Sequence, residues 1–158
     1  MIYTITCNPA LDCTVHTNAV QWGAINPIGG CTLTPGGKGV NVSRVLKELE
    51  MDNVALGFAA GENGALLEGA LQKMGITTQF VPLREGQTRI NVKIYGDTET
   101  QFNAPGAAVS PDDMMELTAL LAALNPTEED AVCLCGSLAP EMPPNTYRRL
   151  VKQLHKMG

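Results

Sequence analysis

Between Pro35 and Asn41 the chain reads Pro-Gly-Gly-Lys-Gly-Val-Asn, and a helical pattern begins at Lys38. Glycines let the backbone come close to a ligand, and the free N–H groups of a helix start attract anions. Lys38 adds a full positive charge. Asn41, on the first turn, faces the same space as the backbone of Gly36 and Gly37. The turn is not a P-loop, because Gly39 stands where Ser or Thr would hold the metal, and it is not a dinucleotide GxGxxG. Asp12 closes the stretch Asn8-Pro9-Ala10-Leu11-Asp12, just past the C-terminal end of the first apolar strand. Parallel sheets bind ligands at that end. Arg89 and Lys93 share the polar face of one strand with Asn91. Two cations and an amide suit a phosphate on a hydroxyl-rich body. Gly136-Ser137 follows a later apolar strand and offers a backbone N–H and a hydroxyl. Each group also has a plain structural reading: an ordinary loop, an Asx-turn acid, a solvated edge strand. Together they describe a polar, partly cationic site for a phosphorylated polyol. His16 and His155 lack catalytic partners nearby and read as surface residues.

Composition narrows the setting. The 158 residues suffice for one buried domain and are too few for two ordinary ones. An apolar fraction of 44% excludes intrinsic disorder. The net charge of -5 argues against a general nucleic-acid or anionic-membrane binder. No run approaches the length of a membrane span, and Met1-Ile2-Tyr3-Thr4 lacks the basic and apolar regions of a signal peptide. The expectation is a cytoplasmic protein. The five cysteines form no CxxC pair, and Cys133 and Cys135 lack His or acidic neighbours. They read as buried free thiols rather than a metal site.

The elements that must position these groups alternate. Ile2–Cys7, Val54–Ala60, Phe80–Leu83 and Ala131–Cys135 are short apolar strands. Between them lie amphipathic helices, the first with its apolar set at Val42, Val45, Leu46 and Leu49. Leu66, Leu67, Ala70, Leu71 and Met74 predict a second helix that Gly75 stops, and Ser110-Pro111-Asp112-Asp113 is a helix start. A last helix is expected from near Pro143-Pro144. Apolar strands joined by helices imply a mostly parallel α/β sheet with helices on both faces. Residues 13–34 and 88–104 do not fit that layer. Arg89–Tyr95 alternates apolar and polar, so these segments predict a small two-faced β-sheet standing off the edge.

The motifs NPALD (8–12), PGGKGVNVSRVL (35–46), TRINVKI (88–94) and GSLAP (136–140) resemble the ribokinase-like, pfkB-type carbohydrate kinases. Within that family the 1-phosphofructokinase branch matches best, with tagatose-6-phosphate kinase next. The resemblance runs along the whole chain but reaches only the N-terminal half of such kinases. It implies a ribokinase-like fold in which the small sheet, about 13–34 and 88–104, is a lid that often forms a dimer clasp. It also implies substrate-binding roles for Asp12, Gly36, Gly37, Lys38, Asn41 and Arg89, and weaker ones for Lys93 and Ser137. The implied reaction is ATP-dependent phosphorylation of a ketose phosphate, foremost fructose 1-phosphate to the 1,6-bisphosphate. A non-catalytic sugar-phosphate binding or dimerisation module is the reading of another class. The family's catalytic base, nucleotide pocket and magnesium-linked motif belong to a C-terminal half that these residues do not include. No catalytic or metal residue is therefore expected within this segment. The family usually has glycine at the positions of Glu50 and Ala60, and often GSLPPG where this chain ends the motif at Glu141.

Overall fold

A computed structural model describes residues 1–156. Four apolar strands form one wholly parallel sheet in the order β5-β4-β1-β8: β1 (Ile2–Thr6), β4 (Asn53–Ala60), β5 (Thr77–Leu83) and β8 (Ala131–Cys135). The helices are α1 (Lys38–Glu48), α2 (Gly61–Lys73), α3 (Pro111–Leu124) and α4 (Thr146–Leu154). Tyr3, Ile5, Leu56 and Phe58 point to one face and pack with Leu117, Leu121 and Tyr147 of α3 and α4. Ala55 and Ala59 point to the other and pack with Val40, Leu67 and Leu71 of α1 and α2. Burial on both faces is why these strands read as continuous apolar runs.

A second sheet has the order β3-β2-β6-β7: β2 (Ala10–His16), β3 (Cys31–Gly36), β6 (Arg89–Tyr95) and β7 (Glu99–Asn103). It is the small sheet expected from residues 13–34 and 88–104. Its outer pairs are antiparallel, while β2 and β6 run parallel. The expected α/β class holds, with four differences. β2 begins at Ala10, so Asp12 lies inside a strand and is no Asx-turn acid. In α1 the buried side is Gly39, Val40 and Ser43, whereas Val45 and Leu49 are exposed. Small residues win that face because α1 packs close: a Cβ at Gly39 would meet Thr6 Oγ1 at 2.4 Å. The last helix begins at Thr146, after the Pro143-Pro144 pair. Finally, of the five cysteines only Cys7 is buried, and Cys31 is exposed. β8 is an edge strand, which leaves Cys133 and Cys135 half-buried.

Helix ends show where sequence departs from local preference. α2 closes with Gly75 at φ +73°, its N–H on Gln72 and that of Ile76 on Leu71. α1 closes with the same pair of bonds, Glu50 to Lys47 and Met51 to Leu46, but Glu50 holds φ +59°. Both are Schellman ends, and only the first has the residue that suits the left-handed position. Glu141 is left-handed as well, at φ +66°, whereas Ala60 is extended and needs no glycine. The left-handed conformation costs a residue with a side chain about 1–2 kcal/mol. Glu50→Gly is therefore expected to stabilise by about 1 kcal/mol after the added chain entropy, raising Tm by a few degrees. A thermal melt showing no rise would mean that Glu50 makes a compensating contact.

Candidate functional site

β1 runs into the Asn8-Pro9 turn, which delivers the chain directly into β2. The C-terminal end of the large sheet is thus set beside the polar face of the small one. Between them lies a cleft of about 400 Å³. Seven of the eight residues singled out above line it: Asp12, Gly37, Lys38, Asn41, Arg89, Lys93 and Ser137. Gly36 does not line it but lies under the Asp12 carboxylate, where a Cβ would sit 2.6 Å from Oδ2.

The β2/β6 register fixes the lid wall. Ala10 pairs with Arg89, Asp12 with Asn91 and Thr14 with Lys93, so alternate residues face the cleft. Asp12 Oδ1 accepts from Asn91 Nδ2 at 3.0 Å, and Oδ2 accepts from Lys93 Nζ at 2.7 Å. Each oxygen keeps a lone pair for a further donor. Arg89 donates from Nη2 to the Asn8 carbonyl at 3.0 Å and from Nη1 to the Ala104 carbonyl at 3.1 Å. It thereby ties the turn after β1 to the segment after β7. Burial lowers the Arg89 pKa and nearby Asp12 opposes that shift; the guanidinium stays charged in any case.

The opposite wall comes from the large sheet. Gly37 caps α1 with no side-chain bond, and the first turn has no acid. Its N–H groups are unpaid donors, and Lys38 sits where a cation opposes the helix dipole. An anion there satisfies the donors and relieves that repulsion. Beyond it, Gly136 passes beneath Lys38 at φ +93°. Tyr147 holds this bend, its hydroxyl donating to the Cys135 and Gly136 carbonyls at 3.0 Å each. Burial pushes the Cys7 thiol up to about 11, and its hydrogen bond to Tyr147 pulls the other way. Burial likewise raises Tyr147, so both stay protonated and structural.

Three buried polar atoms on the cleft residues have no protein partner: Thr6 Oγ1, Arg89 Nε and Asn91 Oδ1. Such orphans are rare and usually mark a place for a ligand or water. Three cations, Lys38, Arg89 and Lys93, stand against one carboxylate in a chain of net charge -5. The arrangement suits an anionic, hydroxyl-bearing molecule. No cluster of three His, Cys, Asp or Glu exists among the described residues. A larger groove of about 580 Å³ between α3 and α4 is lined mainly by residues such as Met114, Met115, Ala119 and Leu150. It has no comparable set of charges.

Sequence reasoning missed Thr6, Asn8, Gln101 and Asn103, which also line the cleft. The last two were within reach. The β6/β7 hairpin pairs Asn91 with Asn103 and Lys93 with Gln101, so the polar face of β6 continues onto β7. No helix among the described residues is long and apolar enough to cross a membrane.

The sheet, its helices and the small sheet over a charged cleft define a lidded α/β protein. The profile of the pfkB family of carbohydrate kinases matches residues 12–158. The 1-phosphofructokinase of Bacillus subtilis is 37% identical over 152 residues, 96% of this chain and 49% of the relative. The D-tagatose-1-phosphate kinase of Bacillus licheniformis is 35% identical over 150 residues, covering 95% and 48%. The crystal structure of phosphofructokinase-2 from Escherichia coli with fructose-6-phosphate superposes with a TM-score of 0.91 at 26% identity, over 99% of this chain and 52% of that one. The chain belongs to the pfkB family of carbohydrate kinases and has the ribokinase-like fold. It spans about half the length of the curated relatives it matches.

Proposed function

We propose that these residues form the sugar-phosphate side of an ATP-dependent kinase acting on a ketose phosphate, foremost fructose 1-phosphate to the 1,6-bisphosphate. The observation that carries this is the cleft: three cations, one hydrogen-bonded carboxylate and three unpartnered polar atoms in an acidic chain. Asp12 accepts hydrogen bonds from sugar hydroxyls and orients the one to be phosphorylated. Gly36 leaves room for that carboxylate, Gly37 offers its backbone, and Asn41 its amide. Arg89, Lys38 and Lys93 favour the phosphate, and Ser137 closes the far rim. Asp12 is already held by Lys93 and Asn91, so it binds rather than removes a proton. The base, ATP and magnesium are assigned to a nucleotide-binding half of the polypeptide outside residues 1–158. The whole works in the cytoplasm as a homodimer. The copies meet through the outer lid face, where Leu33, Ile90 and Phe102 are exposed.

The absence of an uncommitted base among the cleft residues also favours a second reading, a non-catalytic sugar-phosphate binding module. The relative named for D-tagatose 1-phosphate makes that sugar the competing substrate. Steady-state kinetics of the full-length protein with both ketose phosphates decides among them. Arg89→Ala is expected to raise KM for the sugar phosphate about 10- to 150-fold, the value of a charge-assisted bond, with KM for ATP little changed. Equal effects on both substrates would remove Arg89 from the site. Binding of sugar phosphate without turnover would establish the module.

A further inference from the structure

Given the sugar-phosphate reading of the cleft, on which this rests, we propose that Asn8 is a positioning residue for Ser137. Its amide ties the loop that carries Ser137 to the segment returning from the lid, and so fixes where the Ser137 hydroxyl stands. Asn8 is buried and lies in the turn between β1 and β2. Its Nδ2 donates to two carbonyls at once, Pro105 at 2.9 Å and Leu138 at 3.2 Å. Pro105 comes two residues after the cleft residue Asn103, and Leu138 directly follows Ser137. Neither segment is helix or strand at these points, so no ladder sets the distance between them. The side chain of Asn8 does.

Ser137 sits between two anchors. Tyr147 pins the loop on one side, at the Cys135 and Gly136 carbonyls. Asn8 pins it on the other, at Leu138. The lid side of the tie is held as well. Arg89 bonds the carbonyls of Asn8 and Ala104, which lashes the Asn8 backbone to the residue before Pro105. The Asn8 amide carries that lashing across to the large sheet. Gly106 makes room for it: at φ +94°, a Cβ there would stand 2.3 Å from Asn8 Oδ1. The packing of the two segments has other support. Val109 donates from its backbone to the Pro140 carbonyl at 3.3 Å, and Val109 and Ala139 lie in the core. Losing the amide should therefore release Ser137 locally while the segments stay folded.

Asn8 also lines the cleft, but both of its amide hydrogens are spent on protein carbonyls. It has no donor left for a phosphate oxygen, which is itself an acceptor. Its influence on the sugar phosphate passes through the loop it holds. A hydroxyl displaced by about 1 Å leaves hydrogen-bond distance and forfeits the contact.

The test is a double-mutant cycle in the full-length protein. The readout is kcat/KM for fructose 1-phosphate or tagatose 1-phosphate, whichever the parent prefers, or the Kd by calorimetry if it binds without turnover. Ser137→Ala and Asn8→Ala are each expected to weaken it about 10-fold, with KM for ATP little changed. Combined, they should still weaken it about 10-fold, because Asn8 then has no hydroxyl to position. Gly106→Ala presses on the same amide from outside the cleft. It should repeat the Asn8→Ala loss and add nothing on the Ser137→Ala background, which decides the matter even if Asn8→Ala does not fold. A combined loss of about 100-fold, a Ser137→Ala variant equal to the parent, or an Asn8→Ala effect shared equally by ATP would overturn the proposal alone. A parent that neither binds nor converts either ketose phosphate would overturn the reading of the cleft together with it.

Discussion

Asp12→Asn in the full-length protein is expected to lower kcat/KM for the sugar phosphate by about 100-fold, with Tm almost unchanged. The carboxylate uses one lone pair on each oxygen within the lid, toward Asn91 and Lys93. The others remain for hydroxyl donors, and bonds to a charged acceptor contribute about 1.5–3 kcal/mol each. An amide keeps the shape but has one acceptor oxygen. Its NH2 faces either Lys93, donor against donor, or Asn91, whose amide must then turn over to accept. Lys93 also loses its counter-charge and swings toward solvent, so the cationic wall changes along with the carboxylate. Calorimetry should show the loss directly as weakened sugar-phosphate binding. Kinetics within about twofold of the parent would leave Asp12 a strand residue with no part in binding.

Gly57→Ala has the largest expected effect on folding. Gly57 lies in β4, paired with Thr6 of β1 and Phe80 of β5, at the middle of the parallel sheet. A Cβ there would stand 2.1 Å from the Thr6 carbonyl oxygen and 2.9 Å from its carbon. Both are backbone atoms, so no rotamer change removes the overlap and the strands must part. A cost above about 4 kcal/mol is expected, a large share of a typical total of about 5–15. The melt should fall by about 10 °C or more. Gly69→Ala is the control. It lies within α2 with nothing within 4 Å of the added carbon, and it should stabilise by up to about 1 kcal/mol. Equal melts for the two variants would mean that the β1/β4 spacing is softer than the ladder implies.

What the sequence made legible follows from how local each cause is. Ser110 and Asp113 exchange bonds three residues apart, so the start of α3 is written in adjacent letters. The alternation in Arg89–Tyr95 likewise reveals a strand with one wet face. The turn at Gly37 and Lys38 shows its character through residue type alone. Facts that depend on distant partners were out of reach. Val45 and Leu49 have the right spacing for a core stripe, yet Gly39 and Ser43 take the inner side because β1 approaches there. Thr6 and Asn8 look like ordinary strand and turn residues until the cleft forms around them. Tyr147 reads as one more apolar helix residue, because its hydroxyl finds carbonyls eleven and twelve residues back.

The cleft has its two walls on different sheets: Asp12, Asn91 and Lys93 on the small one, Lys38 and Ser137 at the end of the large one. A molecule that touches both walls is released only when its contacts to both are broken. Each added bond across the joint lengthens the time a bound molecule stays, and does little for the rate at which the next is captured. For a catalyst that has to release its product, this sets an upper limit on useful affinity. The residues that bridge the joint are the ones on which turnover and tight binding pull in opposite directions.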